Sequence, residues 1–124
     1  MINNTHKILI IDDDPDIRIL VKKILSHHYE NLEFTDNTHS ALELLENTKY
    51  DCIVLDIQLN EDNGATILSY RDEKNLETPI VVMSQYLTDI FMESYKSKFS
   101  GFVPKPFKGQ KLLDAVHAAI TGTN

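Results

Sequence analysis

Lys7-Ile8-Leu9-Ile10-Ile11-Asp12-Asp13-Asp14-Pro15 is the stretch that decides the fold of this chain: four consecutive apolar residues run directly into three aspartates and a proline. A continuous apolar run, as opposed to an alternating one, belongs to a strand covered on both faces, as in the interior of a parallel sheet. The pattern returns twice. Cys52-Ile53-Val54-Leu55 ends in Asp56, and Ile80-Val81-Val82-Met83 ends in Ser84. Two weaker runs, Asn31 to Thr35 and Gly101 to Val103, complete five, the first suited to a sheet edge and the second short.

Segments of helical character separate these runs. Ile17, Leu20, Val21, Ile24 and Leu25 recur at helical spacing, with Asp14 as N-cap and Pro15 in the first helical position. Ala41, Leu42, Leu44 and Leu45 mark a second helix, and Ala65, Ile67, Leu68 and Arg71 a third that begins after Gly64. Leu87 to Lys98 is less clearly amphipathic, since Ile90, Phe91, Met92, Tyr95 and Phe99 spread around the wheel. A fifth helix from about Lys108 to Ile120 carries Leu112, Leu113, Val116 and Ile120 on one face. Strict alternation of strand and helix predicts an α/β, doubly wound parallel sheet with right-handed crossovers. Sites in such sheets form outside the carboxyl ends of the strands. Asp12 and Asp13, Asp56, Ser84 and Lys105 would therefore share one rim.

The whole chain has the size and balance of one domain: 124 residues, 42% hydrophobic and 25% charged. No low-complexity stretch, repeat or linker interrupts it, and no apolar run is long enough for a signal peptide or a bilayer span, so a cytoplasmic setting is expected. A formal charge of −7, with Lys and Arg interleaved among acids, argues against direct nucleic-acid binding. The single cysteine, Cys52, sits inside an apolar run and reads as a buried structural thiol. His27 and His28 point about 100° apart on a helix and read as solvated side chains, not as a metal pair; His117 reads as an exposed residue on the last helix.

Unpaired carboxylates gathered at strand ends repel one another, so the cluster implies a bound cation, and an oxygen-only ligand set suits Mg²⁺. A lysine and a serine on the same rim can bind phosphoryl oxygens by charge and hydrogen bonding. An Asp carboxylate can itself accept a phosphoryl group. Glycine-rich phosphate cradles of the nucleotide-binding kind are absent, which disfavours nucleotide binding.

Over essentially its whole length the chain resembles the receiver domain of two-component response regulators, in particular the stand-alone, chemotaxis-regulator-like kind. The resemblance rests on Lys7 to Pro15, on Asp56, on Gly64 eight residues later, on Thr78-Pro79-Ile80-Val81-Val82-Met83-Ser84 and on Lys105-Pro106-Phe107. It implies a flavodoxin-like five-stranded sheet in the order 2-1-3-4-5, with two helices on one face and three on the other, as a single domain over residues 1–124 with a core from about 6 to 121. It implies Asp56 as phosphoacceptor, fed by a histidine kinase or histidine phosphotransfer protein. Mg²⁺ would be held by Asp13, Asp56 and the backbone carbonyl of Gln58, with Asp12 acting through water. Ser84 and Lys105 would bind the phosphoryl oxygens, Phe102 would be the switch aromatic, and the Lys105-Pro106 bond would be cis. The domain would catalyse only its own phosphoryl transfer and loss, and would signal to a protein target through helix 4, strand 5 and helix 5.

Departures from the family pattern are Leu59 and Asn60 where Met-Pro is common, Gln85 where a small residue is usual, and Pro104 before Lys105. A long side chain at Gln85 would be expected to crowd the phosphoryl site or to alter how the switch closes. Two other readings compete. One is a pseudo-receiver that docks partners without phosphate. The other is a small Mg²⁺-dependent phosphohydrolase, similar to haloacid dehalogenase-type phosphatases, with Asp12 as nucleophile and Asp14 as acid; Pro15 stands against it, and Asp14 reads better as a helix cap. Asp62 reads as a loop residue.

Overall fold

The computed structural model describes residues 3–58, 64–85 and 87–122. Five strands, β1 (Asn3–Ile11), β2 (Tyr29–Thr35), β3 (Cys52–Asp56), β4 (Ile80–Ser84) and β5 (Gly101–Pro104), form one parallel sheet in the order β2-β1-β3-β4-β5. Helices α1 (Pro15–Leu25), α2 (Thr38–Asn47), α3 (Ala65–Glu73), α4 (Asp89–Tyr95) and α5 (Gly109–Thr121) alternate with them. The doubly wound α/β architecture is the one the sequence pattern predicts, and the strand order is the one the resemblance implies.

Alternate residues of the central strands feed two cores, one on each face of the sheet. Ile8, Ile10, Cys52, Val54, Val81 and Met83 pack with Val21 and Leu25 of α1 and Leu112 and Val116 of α5. Leu9, Ile11, Ile53, Leu55, Ile80 and Val82 pack with Ala41 and Leu45 of α2 and Ile67 and Leu68 of α3, with Phe91 and Tyr95 of α4 at the margin. All five residues of β3 and all five of β4 are buried, which is why their runs are apolar without alternation. Cys52 lies in the first core, and burial pushes its thiol up to about 12, an inert state.

Local chemistry sets the helix starts. Asp14 caps α1 by accepting a hydrogen bond from the Asp16 amide at 2.9 Å, Asn37 caps α2 through the Ser40 amide, and Thr88 caps α4 through the Phe91 amide. Gly64 precedes α3 where the chain passes against the end of β3: a Cβ there would lie 2.7 Å from the Asp56 carbonyl oxygen. Only glycine fits that approach.

Several boundaries differ from expectation for physical reasons. β1 begins at Asn3 because its early residues pair only with β2, while pairing with β3 starts at Ile8 and Cys52; a strand with one neighbour needs no apolar run. β2 opens at Tyr29, itself buried in the first core. Leu20 is 39% exposed beside Ile19 at 64%, so the stripe of α1 that faces the sheet is Ile17, Val21, Ile24 and Leu25. The fourth helical segment is one short helix followed by a 3-10 turn at Lys96–Lys98, and no residue of either is fully buried. Among the described residues no helix is long and apolar enough to cross a membrane. Leu59, Asn60 and Asp62 lie outside the described residues.

Candidate functional site

Asp12 follows β1 directly, and Asp56 and Ser84 are the last residues of β3 and β4; parallel pairing in register brings the three to one edge of the sheet. Asp12 and Ser84 are wholly buried and Asp56 is 3% exposed. Asp13, half-buried, completes a cluster in which one carboxylate oxygen from each of Asp12, Asp13 and Asp56 lies within 4.8 Å of the others. Lys105, one residue beyond β5, reaches across with its ammonium 2.9 Å from Asp12 Oδ2 and 3.3 Å from Asp56 Oδ2. Its main-chain N–H donates to the Ser84 carbonyl at 2.7 Å, so the two loop ends are tied together. The Lys105-Pro106 peptide is cis, as the resemblance implies.

Main-chain donors fix the carboxylates. The Asp14 amide donates to Asp12 Oδ1 and the Gln58 amide to Asp56 Oδ1, both at 2.9 Å. Arg18, which the sequence reading did not single out, donates from its guanidinium to the Asp12 carbonyl at 2.8 Å and holds the turn between β1 and α1. No sequence pattern marks it, because its partner is a main-chain carbonyl. Gln58 also contributes its side chain, whose Oε1 accepts from the Gln85 amide at 3.4 Å and bridges the loops after β3 and β4. The Gln85 side chain is exposed, so crowding of the site by it is not what this arrangement displays.

Charges on the rim are incompletely balanced. Burial is the main influence on Asp12 and raises its pKa; the bonds from Lys105 and the Asp14 amide act against it, and the neighbouring Asp56 adds to it. For Lys105, burial works downward, but the hydrogen bond and charge of Asp12 and the charge of Asp56 outweigh it and lift its pKa above the ordinary value. Lys105 thus stays an ammonium facing two carboxylates, with a third beside them. An oxygen-only cluster with two carboxylate charges left uncompensated fits a hard divalent cation such as Mg²⁺.

Phe102 stands apart from this cluster. It lies on β5, half-buried in the second core together with Phe91, Tyr95 and Phe99; Phe91 meets Tyr95 in a tilted contact at a centroid distance of 4.8 Å and stacks on Phe99 at 6.4 Å. Asp14 is exposed and committed to capping α1. His27, His28 and His117 are all exposed. An open cleft of about 840 Å³ lies toward the opposite end of the sheet, among Tyr50, Asp51, Leu76, Thr78, Pro79 and Ile120, and shares no residue with the rim.

Comparison with known proteins agrees with this geometry. The family model for the response regulator receiver domain matches residues 8–117. The response regulator protein PilR of Pseudomonas aeruginosa is 28% identical over 116 residues, 93% of this chain and 26% of that protein. The transcriptional regulatory protein SrrA of Staphylococcus aureus is 28% identical over 120 residues, 96% of this chain and 49% of that protein. The chain thus spans from about a quarter to a half of the length of these relatives. Among solved structures, the receiver domain of the Francisella response regulator 1452 is 26% identical with a TM-score of 0.79, covering 97% of this chain and all of that one. The signal receiver domain of a LuxO repressor protein from Vibrio parahaemolyticus has a TM-score of 0.88 at 18% identity, covering 94% of this chain and 91% of that one, a likeness of fold.

Proposed function

We propose, for a chain that belongs to the response regulator receiver domain family, that Asp56 accepts a phosphoryl group from a phosphohistidine of a sensor kinase or histidine phosphotransfer protein. The observation that carries this reading is the Lys105 ammonium poised between Asp12 and Asp56, on the rim where β4 ends in Ser84. As the P–N bond of the phosphohistidine breaks, an Asp56 oxygen forms the new P–O bond. The electron pair returns to the imidazole nitrogen, which then takes up a proton. Lys105 keeps its contact with Asp12 and moves its contact on Asp56 to a phosphoryl oxygen; the Ser84 hydroxyl donates to another. Asp13, Asp56 and the Gln58 carbonyl would hold Mg²⁺ directly and Asp12 through water. Bound there, the cation offsets the charge that gathers on the phosphoryl oxygens.

Movement of Ser84 toward the phosphate pulls the end of β4, and Phe102 follows inward on the neighbouring strand β5. The face made by α4, β5 and α5 then changes its affinity for a protein target, on this polypeptide or another. Such a switch biases two arrangements and acts only through the difference in their stabilisation. In this reading residues 1–124 are one cytoplasmic signalling domain, with its core near 6–121, that catalyses its own phosphorylation and dephosphorylation and no separate reaction. The charge of −7 supports a protein target over direct nucleic-acid contact.

The test is intact mass after incubation with Mg²⁺ and a small acyl phosphate or a phosphorylated histidine kinase. One added phosphoryl group in wild type and none in Asp56→Asn is expected. Uptake that survives in Asp56→Asn overturns the assignment of the phosphoacceptor, and no uptake from either donor favours a docking module that works without phosphate.

A further inference from the structure

Helix α4 is held unequally at its two ends. Its first turn is closed by its own residues: the Phe91 amide donates to Thr88 Oγ1 and the Met92 amide to the Thr88 carbonyl, both at 3.0 Å, while Thr88, Asp89 and Ile90 are all exposed. Its last turn runs into the 3-10 turn at Lys96–Lys98, and that turn is bound to other elements. The Arg71 guanidinium, on α3, donates from Nε to the Thr78 carbonyl at 2.7 Å and from Nη1 to the Lys98 carbonyl at 3.2 Å. Thr78 is itself tied to the foot of the sheet, its hydroxyl donating to the Tyr50 carbonyl at 3.3 Å. Lys98 also pairs with Asp72, and the Ser100 amide donates to the Ile80 carbonyl at 2.7 Å.

We infer that Arg71 is the pin of a hinge at Lys96–Lys98, about which α4 swings outward from its N-terminal end while its C-terminal end stays on the sheet. A planar guanidinium that spans two main-chain carbonyls fixes their separation, which the point charge of an ammonium does not. The swing gives up little, because no residue of α4 is fully buried. The seam that parts is aromatic. Phe91, on the swinging side, stacks on Phe99, on the fixed side, at a centroid distance of 6.4 Å, whereas its 4.8 Å contact with Tyr95 lies within α4 and moves with it. Parting that seam opens the apolar margin to which Leu87 and Phe102 also belong. The hinge is a property of the unphosphorylated protein and does not depend on Asp56 being the phosphoacceptor.

Distances between pairs of spin labels test this, since Cys52 is buried and only introduced cysteines take the label. A label at His27→Cys, on the exposed surface after α1, is paired in turn with Ile90→Cys on the swinging end, Ser97→Cys in the 3-10 turn and Glu73→Cys at the end of α3, all exposed positions. With Arg71 in place, the Ile90 distance distribution is expected to be about twice as wide as the Ser97 one. In Arg71→Gln the Ser97 distribution is expected to widen to match it, while the Glu73 distribution keeps its width. Arg71→Lys retains the charge and the stem, which guards against a variant that folds poorly, and is expected to widen the Ser97 distribution in the same way. Equal widths for Ile90 and Ser97 with Arg71 in place overturn the inference, as does a Ser97 distribution that stays narrow in either variant. Widening of the Glu73 distribution together with that of Ser97 also overturns it, because Arg71 would then hold the fold as a whole and pin no hinge.

Discussion

The rim at the ends of β1, β3 and β4 and the face formed by α4 and β5 belong to one sheet, yet they are held in opposite ways. On the rim, Asp12, Asp56 and Ser84 are buried, and the carboxylates of Asp12 and Asp56 are gripped by main-chain amides and by Lys105. On α4, seven residues long, no side chain is fully buried and Ile90 is 78% exposed. The far end of that segment is fastened by polar contacts instead. Arg71 of α3 donates to the carbonyls of Thr78 and Lys98, and Lys98 pairs with Asp72. Reactive groups need fixed distances, and a responding surface needs a small free-energy gap between arrangements; elements that bury few apolar contacts supply it.

The contrast breaks most visibly in the cores. Ile53→Ala, in a fully buried strand, is expected to cost about 3 kcal/mol in urea denaturation, while Ile90→Ala stays within about 0.5 kcal/mol of wild type. Equal costs would mean that α4 is packed as firmly as the sheet. Gly64→Ala comes next, with a loss of about 2 kcal/mol, because its Cβ would press on the backbone at Asp56 and Ile57. An unchanged midpoint would show that the loop after β3 yields easily, and the rim would then be less rigid than described.

A smaller effect probes the charge on the rim. Burial raises the Asp12 pKa, so the folded state binds its proton more tightly than the unfolded chain does. That contribution to stability is complete below the ordinary carboxylate value and is lost as pH rises through the raised one. Asp12→Asn is therefore expected to stabilise the metal-free protein at neutral pH and to flatten this part of the pH dependence. Denaturation midpoints of both proteins, followed from about pH 4 to about pH 7 without divalent cations, check the sign. A destabilised Asp12→Asn would show that the Lys105 bond outweighs burial.

The rim was legible in the sequence because apolar runs ended in Asp12, Asp56 and Ser84, and strand ends in a parallel sheet lie together. The cap at Asp14 and the need for Gly64 were legible for local reasons. Arg18 and the Gln58 side chain were not, since their partners are a carbonyl and an amide, and main-chain groups leave no mark on sequence pattern. Tyr29 escaped for another reason: its burial in the first core depends on the sheet edge at β2, not on any run of its own. The extent of α4 was obscure because its apolar residues serve a partly covered face and so follow no narrow stripe.

The most direct test of the account is residue-resolved hydrogen exchange with and without a phosphoryl group on Asp56, at constant Mg²⁺. The account predicts altered exchange in the loop after β4, in α4 and in β5 around Phe102, with β1 and β3 unchanged. Exchange that alters equally in β1 and β3, or that leaves α4 and β5 untouched, would contradict it.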